Sequence, residues 1–223
     1  MPNPLSLDAY LQPLLPPYVK HALATEQDWL APLAPDERTF VADAVPYRRQ
    51  EFAAGRSVAK RLLAEHNTPI AALPSNPDRT PQWPSGCLGS ISHCKGRCWV
   101  AIASTLYCRG LGIDVERRQT LDDSVAALLL TPDDRHALAK VNTNDGALLV
   151  FSAKECVHKT VYPALGLKLD FQDVTIQIDP DLSNGYGRFT ATLLRPRHGL
   201  HSLHGKLFVS EHYVFTAIEW PMA

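Results

Sequence analysis

Alternation of apolar and polar residues in the centre of the chain predicts a β-strand. In the stretch Gly110–Glu116, the aliphatic residues Ile113 and Val115 are each followed or preceded by an acidic residue. If this stretch is extended, Asp114 and Glu116 lie on the same face of the strand. Neighbouring carboxylates repel each other, and a shared hard cation such as Mg²⁺ relieves that repulsion. The alternative interpretation is an ordinary solvated, acidic strand end.

Some forty residues later, apolar residues recur at helical spacing and predict an α-helix. The predicted helix has a buried apolar stripe at helical spacing, formed by Val150, Ala153, Val157 and Val161. Glu155 and Lys159 are four residues apart and extend together from roughly the opposite side. They form either a surface salt bridge or a metal-binding carboxylate beside a phosphate-binding lysine. Pro163 predicts that the helix ends near Tyr162.

The first part of the chain predicts one long helix after a proline-rich beginning. Residues 1–46 are rich in proline and predict only short helices and turns, with Pro35 starting one of them and Phe40 and Val41 facing inward. From about Tyr47 to Glu65, apolar residues recur on one side of a helix. The basic residues on a neighbouring stripe either bind phosphate or form a solvated face; they are Arg49, Arg56 and Lys60.

A β-hairpin is predicted after a loop that runs from Asn67 to Gly86. Leu88–Cys94 and Cys98–Ala103 alternate in hydrophobicity on either side of a Lys-Gly-Arg turn. Ser92 and His93 lie at the end of the first of these strands. A strand end offers backbone N–H groups, and an imidazole can donate to an anion. A lone histidine is otherwise more often structural.

The last hundred residues predict short helices and then antiparallel strands. Thr120–Asn142 predicts two short helices with Val125, Leu128 and Leu129 facing inward, and an exposed docking patch is the alternative for Leu128 to Leu130. Asn142 to Gly146 predicts a turn that caps the Glu155 helix. The predicted strands are Val174–Ile178, Gly187–Leu194, Lys206–Ser210 and Tyr213–Ile218. The histidine-bearing segment Pro196–His204 predicts an exposed loop rather than a metal site.

These elements predict an α+β fold with internal pseudo-twofold symmetry. The chain repeats one design in two α/β halves, each an antiparallel sheet packed on a long helix, with the active-site cleft between the halves. We predict an N-terminal half at residues 1–108 and a C-terminal half at residues 109–223. Asp114 and Glu116 would then lie at the seam.

Composition and charge narrow the function classes. The chain has 223 residues, 45% hydrophobic and 20% charged, enough for a substantial core, and its formal net charge of −1 argues against nucleic-acid or anionic-membrane binding. No apolar run has the length of a membrane span, and the amino terminus lacks a signal-peptide pattern, which predicts a cytoplasmic protein. Five cysteines without C-x-x-C spacing argue against a disulfide framework. A zinc site from His93, Cys94 and Cys98 would lack a fourth ligand.

Two motifs together resemble a known family. Gly112-Ile-Asp-Val-Glu116, followed by Phe151-Ser-Ala-Lys-Glu-x-x-x-Lys159, resembles the signature of the 4′-phosphopantetheinyl transferases of the surfactin synthetase-activating type. The stretch Trp83–His93, with Gly55-Arg56 upstream, is similar to the branch that contains enterobactin synthetase component D. The resemblance covers roughly residues 45–165. It implies transfer of 4′-phosphopantetheine from coenzyme A to a serine of an acyl or peptidyl carrier protein.

The resemblance implies a set of site residues. Asp114, Glu116 and Glu155 are expected to hold Mg²⁺ against the diphosphate of coenzyme A, and Lys159 is expected to contact the same group. Glu155 is also our candidate general base for the serine proton. The residues expected to bind coenzyme A are Arg56 near the 3′-phosphate and adenine, Arg79 near the nucleotide, Ser92 and His93 at the phosphates, Lys159, and, on less firm matches, Arg48 and Arg49.

The sequence leaves the carrier and several rival functions open. The branch favours siderophore peptide synthetases, with fatty-acid and polyketide carriers as the alternative. The rivals are another Mg²⁺-dependent phosphoryl or nucleotidyl enzyme and a non-catalytic module that binds coenzyme A or a carrier. Cys156 and His158 depart from the residues common in the family. A duplicated chain builds its own cleft, so we expect a monomer.

Overall fold

The computed structural model describes residues 7–141, 143–179, 181–182 and 184–222. The helices are α1 (Leu7–Leu11), α2 (Glu26–Trp29), α3 (Pro35–Arg38), α4 (Pro46–Glu65), α5 (Asp123–Leu129), α6 (Pro132–Leu138) and α7 (Gly146–Leu165). The strands are β1 (Lys20–Leu23), β2 (Cys87–Cys94), β3 (Arg97–Ser104), β4 (Cys108–Arg117), β5 (Val174–Ile178), β6 (Tyr186–Arg197), β7 (Leu200–Val209) and β8 (Tyr213–Pro221). The turn predicted from Asn142 begins outside the described residues.

Two antiparallel sheets confirm the predicted α+β fold with two halves. The first sheet has the strand order β1-β3-β2, and the second has the order β4-β8-β7-β6-β5. Each sheet packs against one 20-residue helix, α4 in the first half and α7 in the second. Within the described ranges, no helix combines the length and the apolar character that a membrane crossing requires. The boundary at residue 108 stays a prediction.

One apolar cluster contains residues of both sheets and joins the two halves. Trp99 of β3 and Phe215 of β8 are both fully buried, and their ring centroids lie 5.6 Å apart in an edge-to-face arrangement. The same cluster includes Ile113 and Val115 of β4 and Leu11 of α1. The inward face of β4 therefore packs against side chains from both halves.

Serine side chains connect β2 with β4 along the seam. The backbone N–H of Ile113 donates to Ser90 Oγ at 3.1 Å, and the backbone N–H of Val115 donates to Ser92 Oγ at 3.2 Å. Both serines are buried. Since hydroxyl groups rather than backbone carbonyls accept these two bonds, β2 and β4 belong to separate sheets although they lie side by side.

Helix α7 is longer than predicted. It continues through Pro163 to Leu165 and ends at Gly166, whose φ of +64° is a left-handed conformation. A proline in the last turn costs only the bond that its missing N–H would have made to Lys159. Gly166 N–H still donates to the Tyr162 carbonyl at 2.8 Å, so the turn closes.

The predicted loop at Pro196–His204 is wrong. Strands β6 and β7 continue into this segment and meet at a tight turn in which His198 and Gly199 have φ of +51° and +75°. Positive φ at both central residues is the geometry of a type I′ hairpin turn. Residues 194–199 are exposed, but Leu200 and Leu203 are buried in the core. The two leucines are three residues apart and the β6–β7 register shifts between Thr192 and Arg197, so the sequence carries no period-two alternation to mark it as strand.

Three further expectations about the interior are corrected. Val125 and Leu128 are 45% and 76% exposed, because α5 turns only Leu129 and the following Leu130 inward. Phe40 is 45% exposed, whereas Val41 is buried as predicted. The proline-rich beginning also contains strand β1, which pairs antiparallel with β3; four residues are too few for periodicity to reveal.

Candidate active site

Asp114 is the centre of a buried hydrogen-bond network at the seam. Its side chain is on β4 and only 2% exposed. Oδ1 accepts from Lys159 Nζ at 2.6 Å and from Ser92 Oγ at 2.8 Å, and Oδ2 accepts from Ser152 Oγ at 2.8 Å. The network therefore joins β2 of the first half to β4 and α7 of the second.

Two glycines allow β4 to approach α7 closely enough for this contact. A Cβ added at Gly112 would lie 2.2 Å from both the Cys156 carbonyl oxygen and Thr160 Oγ1, and one at Gly110 would lie 2.8 Å from the Thr160 carbonyl oxygen. Any larger residue at Gly112 would push the strand away from the helix. The Gly-x-Gly-x-Asp spacing thus brings Asp114 within reach of Lys159.

Lys159 links the two halves by a charged contact. Its Nζ lies 2.9 Å from Ser92 Oγ in addition to the 2.6 Å contact with Asp114. Burial disfavours the ammonium charge, but attraction to Asp114 and Glu155 outweighs it, so the pKa of Lys159 is raised. The side chain is 25% exposed and lines the cleft described below.

Glu116 and Glu155 lie beside this network. Burial, followed by repulsion from Asp114 and Glu155, raises the pKa of Glu116 to about 7. Burial and the charge of Asp114 also raise the pKa of Glu155, partly opposed by Lys159. The three predicted carboxylates therefore form one electrostatic group in which negative charge exceeds the charge of the one lysine.

The chemistry of this donor set fits a hard divalent cation. Three carboxylates supply oxygen ligands of the kind that Mg²⁺ takes. Besides burial, repulsion from Asp114 and Glu155 contributes to the raised pKa of Glu116, and a cation would relieve that repulsion. In the described part of the chain, however, no group of three or more His, Cys, Asp and Glu side chains is already arranged to hold a metal ion. Asp114 instead faces Lys159, Ser92 and Ser152, so metal binding requires side-chain rearrangement.

His93 is held in a second polar cluster between β2 and α4. Arg48 Nη1 contacts His93 Nε2, and His93 Nδ1 lies 3.4 Å from Glu51 Oε1, which is buried. Because arginine can only donate, Nε2 accepts and the ring proton is on Nδ1. Burial lowers the pKa of His93, and the charge of Arg48 acts in the same direction. Both ring nitrogens are thus engaged within the protein.

The basic stripe of α4 does not converge on Asp114. Arg56 is 4% exposed, and its guanidinium donates to the Leu73 carbonyl and to Ser75 Oγ, both at 2.7 Å. Arg49 donates to backbone carbonyls of the preceding turn, and Lys60 pairs with the buried Glu37 at 3.1 Å. Arg56 therefore anchors the loop that leads into the cleft wall, and its contact with coenzyme A stays a prediction.

A cleft of about 700 Å³ opens between the halves. The first half lines it with β2 and the loop around Asp78, and the second half lines it with β4 and the end of α7. Tyr162 of α7 donates to Asp78 Oδ2 at 2.8 Å across the two halves. His158 stacks on Tyr162 with ring centroids 5.4 Å apart. Arg79 is exposed beside Asp78, with a φ of +70°.

Several residues of the site were not predicted from sequence. Glu51, Ser152 and Thr216 contact predicted site residues or each other, but each is a common residue type in an ordinary helix or strand position. Ser152 lies inside the Phe151–Lys159 motif, which was the one available signal. Cys156 is fully buried, burial raises the pKa of its thiol, and its Sγ contacts the Gly112 carbonyl at 3.0 Å. A packing role explains it.

The chain resembles one enzyme family over most of its length. A model of the 4′-phosphopantetheinyl transferase N-terminal domain matches residues 36–103, and a model of the 4′-phosphopantetheinyl transferase superfamily matches residues 110–217. The chain is 36% identical to 4′-phosphopantetheinyl transferase Svp of Streptomyces mobaraensis over 92% of this chain and 87% of that protein. For 4′-phosphopantetheinyl transferase Npt of Nocardia iowensis the identity is 31%, over 94% and 99%.

A further match covers half of the chain. The chain is 33% identical to enterobactin synthase component D of Salmonella typhi, over 50% of this chain and 47% of that protein. The predicted branch is thereby confirmed as a resemblance.

Proposed function

The chain belongs to the 4′-phosphopantetheinyl transferase superfamily, and from that premise we propose that its cleft transfers 4′-phosphopantetheine from coenzyme A to a serine hydroxyl of an apo acyl or peptidyl carrier protein. The other product is adenosine 3′,5′-bisphosphate. The observation that carries the proposal is the contact of Lys159 with Asp114 and Ser92, which joins the two signature motifs to the first half beside the cleft.

Carboxylates and one lysine have separate roles in this proposal. Asp114, Glu116 and Glu155 are the residues that would hold Mg²⁺, which when bound would neutralise charge on the diphosphate. Lys159 supplies a positive charge to the same anionic group. It is already cationic, since its pKa is raised. Phosphoryl transfer depends mainly on alignment and charge stabilisation, which this group of residues can provide.

Glu155 is the proposed general base. Burial raises its pKa towards neutral pH, and the carboxylate is therefore a better proton acceptor than a fully exposed one. Glu155 lies one helical turn before Lys159 on α7, so the proposed acceptor and the cation extend from neighbouring positions of one helix, although only Lys159 lines the cleft. Glu155 would accept the proton of the carrier serine as the serine oxygen bonds to the phosphorus of the phosphopantetheine group. The P–O bond to adenosine 3′,5′-bisphosphate breaks, and this nucleotide leaves.

Coenzyme A binding is assigned to basic and polar residues of the first half. We propose that Arg48, Arg49, Arg56, Arg79, Ser92 and His93 contact the nucleotide and phosphates. In the structure, Ser92 and His93 are bonded to Lys159 and Arg48, respectively. Phosphate oxygens accept hydrogen bonds, so they can replace the oxygen and nitrogen atoms that these two cations now contact.

The carrier and the cellular setting are finer proposals. The partial match to enterobactin synthase component D supports a carrier of a nonribosomal peptide synthetase, such as a siderophore synthetase, with fatty-acid and polyketide carriers as the broader alternative. All five cysteines are free thiols, which supports a reducing, cytoplasmic setting. One chain supplies both walls of the cleft, which supports a monomer.

Mass measurement of a carrier tests the function. The purified protein is incubated with coenzyme A, Mg²⁺ and an apo-carrier, with a chelator in a parallel reaction. A gain of ~340 Da on the carrier that the chelator prevents supports a Mg²⁺-dependent transferase. Coenzyme A binding without a mass gain favours a non-catalytic module, and nucleotide cleavage without a carrier favours a different phosphoryl or nucleotidyl enzyme.

A further inference from the structure

Two buried hydroxyl groups lie behind the Asp114 carboxylate, at the oxygen that Lys159 does not contact. Ser152 Oγ is 2.8 Å from Asp114 Oδ2 and 2.9 Å from Thr216 Oγ1. Ser152 and Thr216 are both 0% exposed. Water therefore has no access to either hydroxyl and cannot replace one that is removed.

Proton counting gives this chain of hydroxyls a direction. Asp114 Oδ1 lies 2.6 Å from a lysine ammonium group, so the carboxylate acts as an acceptor. Ser152 has a single hydroxyl proton, which it donates to Asp114 Oδ2. Thr216 must then donate towards Ser152, whose Oγ and backbone carbonyl lie 2.9 and 3.0 Å from Thr216 Oγ1. Thr216 therefore donates to one of these two acceptors of Ser152, and the Ser152 hydroxyl donates to Asp114.

The hydroxyl groups of Thr216 and Ser152 connect the three elements that carry the site, which are β4, β8 and α7. Thr216 of β8 stands directly opposite Asp114 of β4 in the antiparallel ladder. Ser152 is on α7, three residues before Glu155. The orientation of Asp114 is therefore coupled to the position of the helix that carries Glu155 and Lys159.

We propose that Ser152 and Thr216 are positioning residues for the transfer reaction. They fix the plane of the Asp114 carboxylate, because Ser152 holds Oδ2 while Oδ1 faces Lys159 and Ser92. Asp114 would be one of the residues that hold the divalent cation. This inference rests on the proposed function of the cleft. Partners behind a metal ligand typically alter metal affinity or activity by about 10- to 100-fold when they are removed.

The test compares hydroxyl-deleting variants with matched controls. Ser152→Ala removes the donor to Asp114, and Thr216→Val removes the donor to Ser152 with almost no change in volume. Thr216→Ser keeps the hydroxyl. Thr175→Val removes a buried threonine hydroxyl on β5, whose nearest acceptor is a carbonyl 3.5 Å away. The measurements are the transfer rate, the coenzyme A dissociation constant without metal, and the Mn²⁺ dissociation constant of the coenzyme A complex by electron paramagnetic resonance.

Ser152→Ala is expected to weaken Mn²⁺ binding and to slow transfer by about 10-fold or more. Coenzyme A affinity without metal stays within about twofold of the unsubstituted protein, since Ser152 does not line the cleft. Thr216→Val gives a smaller loss in the same direction, and Thr216→Ser restores it. Thr175→Val changes none of the three measurements.

Unchanged Mn²⁺ binding and transfer in both Ser152→Ala and Thr216→Val would overturn the inference, as would an equal loss in Thr175→Val. If Ser152→Ala does not fold, the comparison of Thr216→Val with Thr216→Ser decides. A failure of the inference is distinguishable from a failure of the proposed function, because in the latter case the unsubstituted protein itself transfers nothing to the carrier.

Discussion

Lys159 Nζ lies 2.6 Å from Asp114 Oδ1, although the two residues are 45 positions apart in the chain. Asp114 is almost fully buried, whereas the lysine side chain retains 25% of its exposure. The lysine therefore compensates a buried charge while one side of it faces the cleft. Structural stability and a cation for anionic ligands are supplied by the same side chain.

Removing that cation should affect both folding and function. Lys159→Met leaves the buried Asp114 carboxylate without its ionic partner, and we expect a loss of about 1–3 kcal/mol in the free energy of unfolding. Urea unfolding followed by circular dichroism measures it. Lys159→Met combined with Asp114→Asn should recover part of that loss, because no buried charge remains. If the double variant is as unstable as the sum of the two single variants, the pair is not coupled.

Glu155→Gln should separate binding from turnover. The amide is close in size to the carboxylate but cannot accept the serine proton, so we expect transfer to be nearly abolished. Coenzyme A affinity, measured by calorimetry, should be largely retained, because Glu155 has no positive charge with which to bind the phosphates of coenzyme A. Carrier mass against time gives the rate. Full retention of turnover would remove Glu155 from the mechanism.

Gly112→Ala tests the close approach of β4 to α7. The added methyl group would lie 2.2 Å from the Cys156 carbonyl oxygen, and the backbone there cannot move without shifting the helix. Overpacking of this kind costs typically about 1–3 kcal/mol, and the displaced Asp114 should also lose activity. Thermal unfolding and the transfer assay measure the two effects. Gly146→Ala is the control, since its methyl group would meet only the end of the Leu138 side chain.

Removing one partner of the buried ion pair of Lys154 and Asp134 should be strongly destabilising. Their charged atoms are 2.6 Å apart, and Lys154 also donates to the carbonyls of Leu129 and Phe171. Lys154→Met leaves Asp134 as a buried, unpaired carboxylate, which costs about 3–5 kcal/mol. Chemical denaturation measures the change. The exposed Lys140 provides the comparison, and a similar loss in Lys140→Met would contradict this explanation.

The sequence predicted the elements whose side chains alternate or repeat in contact with a core. Strand β4, the hairpin of β2 and β3, and helix α4 were predicted within a few residues. The convergence of the Asp114 and Lys159 motifs followed from the family resemblance, and the structure brings these two side chains into contact. The interior stripe of α7 was predicted from its spacing alone.

Other features depend on tertiary contacts that no local pattern contains. Leu200 and Leu203 of the β6–β7 hairpin are buried in the core, but they are three residues apart, so no period-two alternation marks the strand. Leu128 is indistinguishable in sequence from Leu129, and only the rotation of α5 makes one exposed and the other buried. Ser152 and Thr216 acquire a role only because β8 pairs in register with β4.

The apolar cluster that contains Trp99 and Phe215 has a practical implication for dissecting this protein. Chain cleavage near residue 108 would strip one wall from an interior to which both fragments contribute. Each fragment expressed alone would expose aromatic side chains to solvent and would tend to aggregate. Co-expressed fragments could bury these side chains again by reassembling. Complementation from two plasmids, rather than study of isolated fragments, is therefore the suitable route to a split enzyme.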